Sequence, residues 1–169
     1  TITITANTQN TNRTGTVTFT DGTNVVEFTV IEKYLREEPL TFNIISSGTI
    51  YWKAYNTAYT TTIEYSTDSG ETWTTITSNT GSSAPTISVS AGDIVQFRGN
   101  NATYCSGYSY YNTYYNTFSG STAKFEVEGN MMSLIDSENF ATATTLSSSY
   151  TFCRLFYNCT NLTSAENTT

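Results

Sequence analysis

Residues 91–118 read AGDIVQFRGNNATYCSGYSYYNTYYNTF, and the way this stretch divides sets the reading of the whole chain. Asp93-Ile94-Val95-Gln96-Phe97-Arg98 is a strand pattern that stops at Gly99-Asn100-Asn101. A loop follows, with Tyr104, Tyr108, Tyr110, Tyr111, Tyr114, Tyr115 and Phe118 set among Ser, Asn, Gly and Thr. Each tyrosine brings a hydroxyl that needs a partner once it leaves water. Several of these rings are therefore expected at a surface, in contact with a ligand or another chain.

The strand pattern continues on both sides. Candidate strands are Leu40 to Ile45, Thr49 to Ala54, Thr61 to Ser66, Thr72 to Thr77, Thr86 to Ser90, Asp93 to Arg98 and Ala123 to Glu128. Asp68-Ser69-Gly70-Glu71 is a short hairpin loop between two of them, and Asn79 to Pro85 has loop composition. Seven or so strands with turns at short intervals predict a sandwich over 40–135. Trp52, Tyr65, Trp73, Ile76, Ile87, Val89, Phe97, Phe125 and Val127 would supply its core and rim. Composition agrees: threonine is the commonest residue, 14% of the chain is aromatic and only 12% is charged. β-Branched and aromatic side chains suit a pleated, half-buried surface, so the expected fold class is all-β. An apolar fraction of 37% in 169 residues is enough for compact cores in one domain or two small ones.

Upstream, residues 2–31 read as three strands, with Ile2 and Ile4, Val17 and Phe19, and Val26, Phe28 and Val30 at alternating positions. Asp21-Gly22 between the second and third is a hairpin signal, because both central turn positions want positive φ. Three strands leave an apolar face uncovered unless another sheet packs on it, so the chain reads as a piece of something longer. Lys33 to Pro39, KYLREEP, is the most charged run and ends in a residue that cannot donate to a sheet. It reads as a linker over 33–39, with a surface helix turn as the alternative.

Three resemblances follow from these residues. Ile2-Thr-Ile-Thr-Ala-Asn, Arg13-Thr-Gly-Thr-Val-Thr-Phe-Thr-Asp-Gly and Val26-Glu-Phe-Thr-Val-Ile together resemble the C-terminal half of a BACON domain over 1–32, an immunoglobulin-like sandwich of Bacteroidetes surface proteins. Ile31-Glu32 departs slightly from that domain's usual last strand. The resemblance implies a spacer or glycan-contact module in an extracellular or virion setting. Ile63-Glu-Tyr-Ser-Thr-Asp-Ser-Gly-Glu-Thr-Trp, Ala91 to Tyr104 and Phe125-Glu-Val-Glu-Gly-Asn-Met-Met-Ser-Leu resemble a domain of Bacteroidetes surface proteins and of structural proteins of crAss-like phages. That resemblance brings no catalytic residues. In 136–169, Thr144-Thr-Leu, a Tyr- and Phe-containing segment and Asn158-Cys-Thr-Asn-Leu-Thr-Ser-Ala resemble one leucine-rich repeat of the Bacteroides surface-protein type, which implies a short helix and a following extended piece. A single repeat needs a neighbour to bury its face: the β-domain, further repeats or another subunit.

Charge and residue usage exclude several functions. The net charge is −7 and the pI about 4.4, and the seven basic residues are scattered, against a nucleic-acid partner or an anionic membrane surface. No apolar run reaches the length of a membrane span, so no membrane insertion is expected, and no signal-peptide pattern opens the chain. The absence of histidine removes Ser-His and Cys-His pairs and histidine metal sites. Cys105, Cys153 and Cys159 form neither a CxxC pair nor an even set; buried thiols are the plain reading, and a Cys153–Cys159 bridge is possible in principle.

The tyrosine loop is the leading site, as a protein interface, a glycan contact or simple domain packing. Arg98 beside Asn100 and Asn101 could meet a ligand carboxylate, although a pairing with Asp93 or the following turn is favoured. Asp68, Glu71, Asp93 and Glu64 lack the facing arrangement of a glycosidase pair and the ligand alternation of a calcium loop, and read as turn residues. Met131-Met132 reads as packing at a domain end. The Asn-X-Thr matches at Asn12, Asn101, Asn158, Asn161 and Asn167 are what a Thr- and Asn-rich chain generates by chance.

The expectation is a non-enzymatic structural or attachment protein without catalytic residues, metal or cofactor. It would belong to the virion of a gut Bacteroidetes phage, with other virion or surface subunits, copies of itself or glycans as partners. A bacterial cell-surface adhesin or carbohydrate-binding module is the second reading. An accessory region of a secreted glycosidase is the third.

Overall fold

A computed structural model describes residues 13–20, 23–32, 38–106 and 114–168. The chain divides into two compact units, Thr1–Arg36 and Glu37–Thr169. Among the described residues all regular elements longer than a single turn are strands, and the fold is all-β.

In the first unit, β1 (Arg13–Thr20) and β2 (Val25–Glu32) form an antiparallel hairpin in the register Thr20↔Val25, Phe19↔Val26, Val17↔Phe28. That register makes the connection 21–24, longer than the two-residue turn that Asp21-Gly22 predicts; those two residues and the strand expected at Ile2–Thr5 lie outside the described residues. Alternation puts Val17, Phe19, Val26 and Phe28 on one face, with the Phe19 and Phe28 rings edge to face at 5.8 Å. Phe19, Val26 and Phe28 are all more than half exposed.

The second unit is built on a six-stranded sheet in the order β12-β11-β3-β9-β6-β7. Its members are β3 (Leu40–Ile44), β6 (Thr62–Ser66), β7 (Thr74–Thr77), β9 (Ile94–Arg98), β11 (Phe125–Gly129) and β12 (Leu162–Thr168). The Asp93–Arg98 run thus becomes an interior strand, paired with β3 through Phe42↔Val95 and with β6 through Tyr65↔Phe97. Alternation buries Val95 and Phe97 and leaves Ile94, Gln96 and Arg98 on the other side. β4 (Gly48–Tyr51) with β8 (Thr86–Val89), and β5 (Lys53–Ala54) with β10 (Asn116–Thr117), form two antiparallel ribbons.

Sheet and ribbons share one core. Phe42 is its hub: its ring stacks on Phe125 at 4.5 Å and meets Phe97 at 4.7 Å and Phe118 at 4.8 Å. Trp52, from the bend between β4 and β5, packs on Phe118 at 4.8 Å and donates its indole N–H to the Thr61 carbonyl. Of the expected core set, Trp52, Ile87, Val89, Phe97, Phe125 and Val127 are buried, and Tyr65 and Ile76 pack against them half-buried. A 3-10 turn, Met131–Leu134, closes one end. Its Ser133 hydroxyl accepts from the Leu40 N–H and donates to the Phe97 carbonyl, both at 2.9 Å, tying β3 to β9. Met131 packs on the core, the packing role expected of it.

The tail departs from expectation. Where a short helix is expected, residues 137–161 form turns and bends around an irregular stretch at 143–146, and no α-helix occurs among the described residues. Tyr150, Arg154 and Asn158 each have φ between 54° and 62°, and a left-handed residue every fourth position breaks an i→i+4 ladder before it can propagate. The amides bond three residues back instead, as in Cys153 to Tyr150 and Tyr157 to Arg154. The four-residue repeat turns Thr151 and Leu155 inward and brings Phe152 and Phe156 against the core. The expected extended piece is β12, which lies parallel to β11 at the edge of the sheet, so 136–168 completes the β-unit.

Candidate functional site

The sequence-predicted contact residues separate into three groups. Tyr104 and Phe118 are fully buried and Tyr115 nearly so, which corrects the expectation of a ligand-facing row: these three rings serve the core of their own unit. Tyr104 can go inside because its hydroxyl is satisfied there, donating to the Leu134 carbonyl at 2.5 Å and accepting from the Asn101 side-chain amide at 3.0 Å. Burial pushes its phenol far above the ordinary range. Tyr114 is half-buried at the loop's end, where Ser106 and Tyr114 exchange backbone and side-chain bonds. Tyr108, Tyr110 and Tyr111 lie outside the described residues.

Arg98 lies on the outer side of β9, and Asn100 and Asn101 follow just beyond it, with Asn101 reaching Tyr104. Arg98 pairs with Glu64 of β6 at 2.7 Å and its guanidinium lies 4.1 Å from the Trp73 ring centre, so its partner is neither Asp93 nor the following turn. The register Glu64↔Arg98 explains the choice: directly opposed residues on one sheet face are nearest neighbours. Asn100 and Asn101 line a shallow depression of 360 Å³ with Thr62, Ile63, Glu64, Thr75 and Gly99. Asn101 is already engaged, donating to the Thr62 carbonyl at 2.7 Å. The acidic residues also serve turns. Asp68 accepts from Ser66 and from both the amide and hydroxyl of Thr72, and these bonds, those of Thr72 first, hold its carboxyl down to about 2. Asp93 accepts from the Ser90 amide and Asp136 from the amides of Glu138 and Asn139. Cys153 and Cys159 are free and half-buried, with no bridge between them, and Cys105 is buried.

A different aromatic face assembles around β5 and β10. Strand alternation through residues 50–55 sends Ile50, Trp52 and Ala54 inward and Tyr51, Lys53 and Tyr55 outward. Across the ribbon, Lys53 opposes Thr117, and the Tyr55 amide bonds the Tyr115 carbonyl at 2.9 Å. The Tyr55 and Tyr115 rings stack at 4.9 Å, and Tyr157 meets Tyr115 edge-on at 6.0 Å. The Arg154 guanidinium lies over both Tyr115 (5.0 Å) and Tyr157 (5.3 Å). Burial raises the Tyr115 phenol, and Arg154 beside it offsets part of that rise. At the other end the Lys53 ammonium sits 4.2 Å from the Tyr51 ring centre. It passes over Gly120, where an added Cβ would come within 2.5 Å of Nζ.

The turns of the tail hold this face in place: the Thr117 hydroxyl donates to the Tyr157 carbonyl and the Phe118 amide to the Leu155 carbonyl. Tyr55 stays 61% exposed and Tyr157 48%, so two flat rings meet solvent with the half-buried Lys53 and Arg154 beside them. The alternation Tyr51-Trp52-Lys53-Ala54-Tyr55 is visible in sequence. Its union with Arg154 and Tyr157, a hundred residues on, is a product of tertiary packing. Comparison with protein-family models, with curated proteins and with solved structures finds no match to this chain.

Proposed function

We propose that this chain is a non-enzymatic structural and attachment protein, built of immunoglobulin-like modules with a repeat-derived tail, at the surface of a virion that infects gut Bacteroidetes. The observation that carries the reading is the face of Tyr55 and Tyr157 with Arg154 and Lys53, laid over the buried Tyr115. Tyrosine supplies rigid contact area at little entropic cost and is enriched where surfaces meet. The fixed ribbon below it means that little order is lost on contact. The carboxylates described above are committed to turns and to Arg98, which fits contact better than hydrolysis. Placement on a virion follows the motif resemblances. A bacterial cell-surface adhesin is the second reading, favoured by the ring faces open to solvent at Tyr55 and Tyr157.

The test is binding of the labelled 169-residue chain to gut Bacteroidetes cells and to intestinal mucin, beside the double variant Tyr55→Ser/Tyr157→Ser. Saturable binding to cells that the double variant loses, with its unfolding midpoint retained, supports attachment through this face. Binding confined to mucin supports the adhesin. No binding to either, or release of sugar by the chain alone, overturns the proposal.

A further inference from the structure

We infer that the face formed by Tyr51, Lys53, Tyr55, Arg154 and Tyr157 binds an acidic sugar, with the rings against the sugar's C–H face, Arg154 against its carboxylate and Lys53 adding positive charge at the other end. This inference rests on the attachment reading and names the chemistry of the contact.

Three observations converge on it. The first is charge. A protein of net charge −7 repels anions at long range, and a local reversal of sign requires cations that carboxylates have not neutralised. Among the described residues, neither Lys53 nor Arg154 is paired with a carboxylate, whereas Arg98 on the other side of the unit is paired with Glu64. The second is geometry. A guanidinium lying over a ring uses its flat face there, and its N–H donors lie in its plane, where they match the two oxygens of a carboxylate. The exposed phenol rings alongside offer the apolar faces that sugars stack on, and their hydroxyls can bond sugar hydroxyls.

The third observation is the backbone beneath Arg154. Its φ is 62°, in the left-handed region, which costs a residue that is not glycine strain, less so for asparagine. The same position is Tyr150 one repeat earlier and Asn158 one repeat later, and of the three asparagine tolerates this conformation best. An arginine held where asparagine would be easier points to a use for its side chain.

The experiment compares acidic sugars with uncharged counterparts on the full 169-residue chain: a hexasaccharide of alternating glucuronic acid and N-acetylglucosamine against its carboxyl-reduced form, and sialyllactose against lactose, by calorimetry and by NMR shift mapping. The inference expects at least one acidic sugar to bind about tenfold more tightly than its neutral counterpart, with weakening as salt is raised. Arg154→Asn is expected to abolish the preference with little change in the unfolding midpoint, since relief of the left-handed strain offsets the loss of its ring contacts. Tyr55→Ser/Tyr157→Ser should lose both acidic and neutral forms. Equal affinity for acidic and neutral sugars overturns the inference, as does a preference that survives Arg154→Asn. Failure of both acidic sugars to bind also overturns it, and binding of poly-glutamate in their place would assign the face to an acidic protein. If cells are still bound through Tyr55 and Tyr157 in those cases, attachment stands and only the acidic-sugar assignment falls.

Discussion

Tyr104→Phe removes one oxygen from the interior and tests whether this tyrosine is a structural post. In the native protein that oxygen donates to the Leu134 carbonyl and accepts from Asn101. Without it, the Asn101 side chain keeps its bond to the Thr62 carbonyl, but the Leu134 carbonyl retains only a long contact of 3.4 Å from the Asn101 backbone N–H. Leaving a buried acceptor so poorly matched costs about 1–3 kcal/mol. At roughly 3–4 °C per kcal/mol for a unit of this size, the midpoint should fall by about 3–12 °C.

A second signature follows from pH. Burial raises the native Tyr104 pKa, while the unfolded phenol ionises near an ordinary value of about 10. Below that pH neither state loses the proton and the stabilisation is fully present. Above it the unfolded state alone releases a proton, so this residue's contribution declines by about 1.4 kcal/mol per pH unit until the native value is reached. Phenylalanine does not titrate, so the gap between the two proteins should close as pH rises past about 10. Urea unfolding followed by far-UV circular dichroism at pH 7 and at several alkaline values reads both effects, with Tyr55→Phe as the exposed control, expected within about 0.5 kcal/mol of wild type. Equal midpoints for wild type and Tyr104→Phe at pH 7, or a control as damaging as the interior change, would refute the assignment.

Three further outcomes follow from the same geometry. Gly129→Ala is expected to destabilise by about 2–5 kcal/mol in urea unfolding, because Gly129 has φ 81° and an added Cβ would fall 2.1 Å from the Pro39 carbonyl oxygen; a variant as stable as wild type would show that β3 and β11 do not converge there. Asp68 should titrate near 2 by carboxyl 13C shift instead of about 3.9, so its stabilisation of the 66–73 loop is present above about 3.9 and lost as pH falls through about 2. Trp73, whose indole donates to the Gly70 carbonyl in that loop, should report the change by fluorescence, and an ordinary Asp68 titration would count against the hydrogen bonds assigned to it. Burial pushes the Cys159 thiol up to about 11, so its alkylation by iodoacetamide at pH 8 should be on the order of 100-fold slower than that of an open cysteine. In urea without reductant all three cysteines should be alkylated; protection of two would indicate a bridge.

Alternation and turn chemistry are local properties, and they carried much of the fold. Leu40, Phe42 and Ile44, or Val95 and Phe97, declare a buried side by spacing alone, and the seven strands expected between residues 40 and 128 all have counterparts, with the second divided into β4 and β5 at Trp52. Composition alone also showed that histidine chemistry is absent. Tertiary packing decided which tyrosines lie inside, because that depends on whether a distant chain segment supplies an acceptor: Tyr104 went in on the strength of Leu134, thirty residues away. It also decided the tail, where contact with Phe42, Tyr104 and Phe118 holds Phe152 and Phe156 in a ladder of turns instead of a helix. The exposed face exists for the same reason: Tyr55, Tyr115, Arg154 and Tyr157 become neighbours only when β5 pairs with β10 and the tail folds across them. Sequence spacing shows which side of a strand a residue occupies; which residues from elsewhere meet it there is set by how the segments pack.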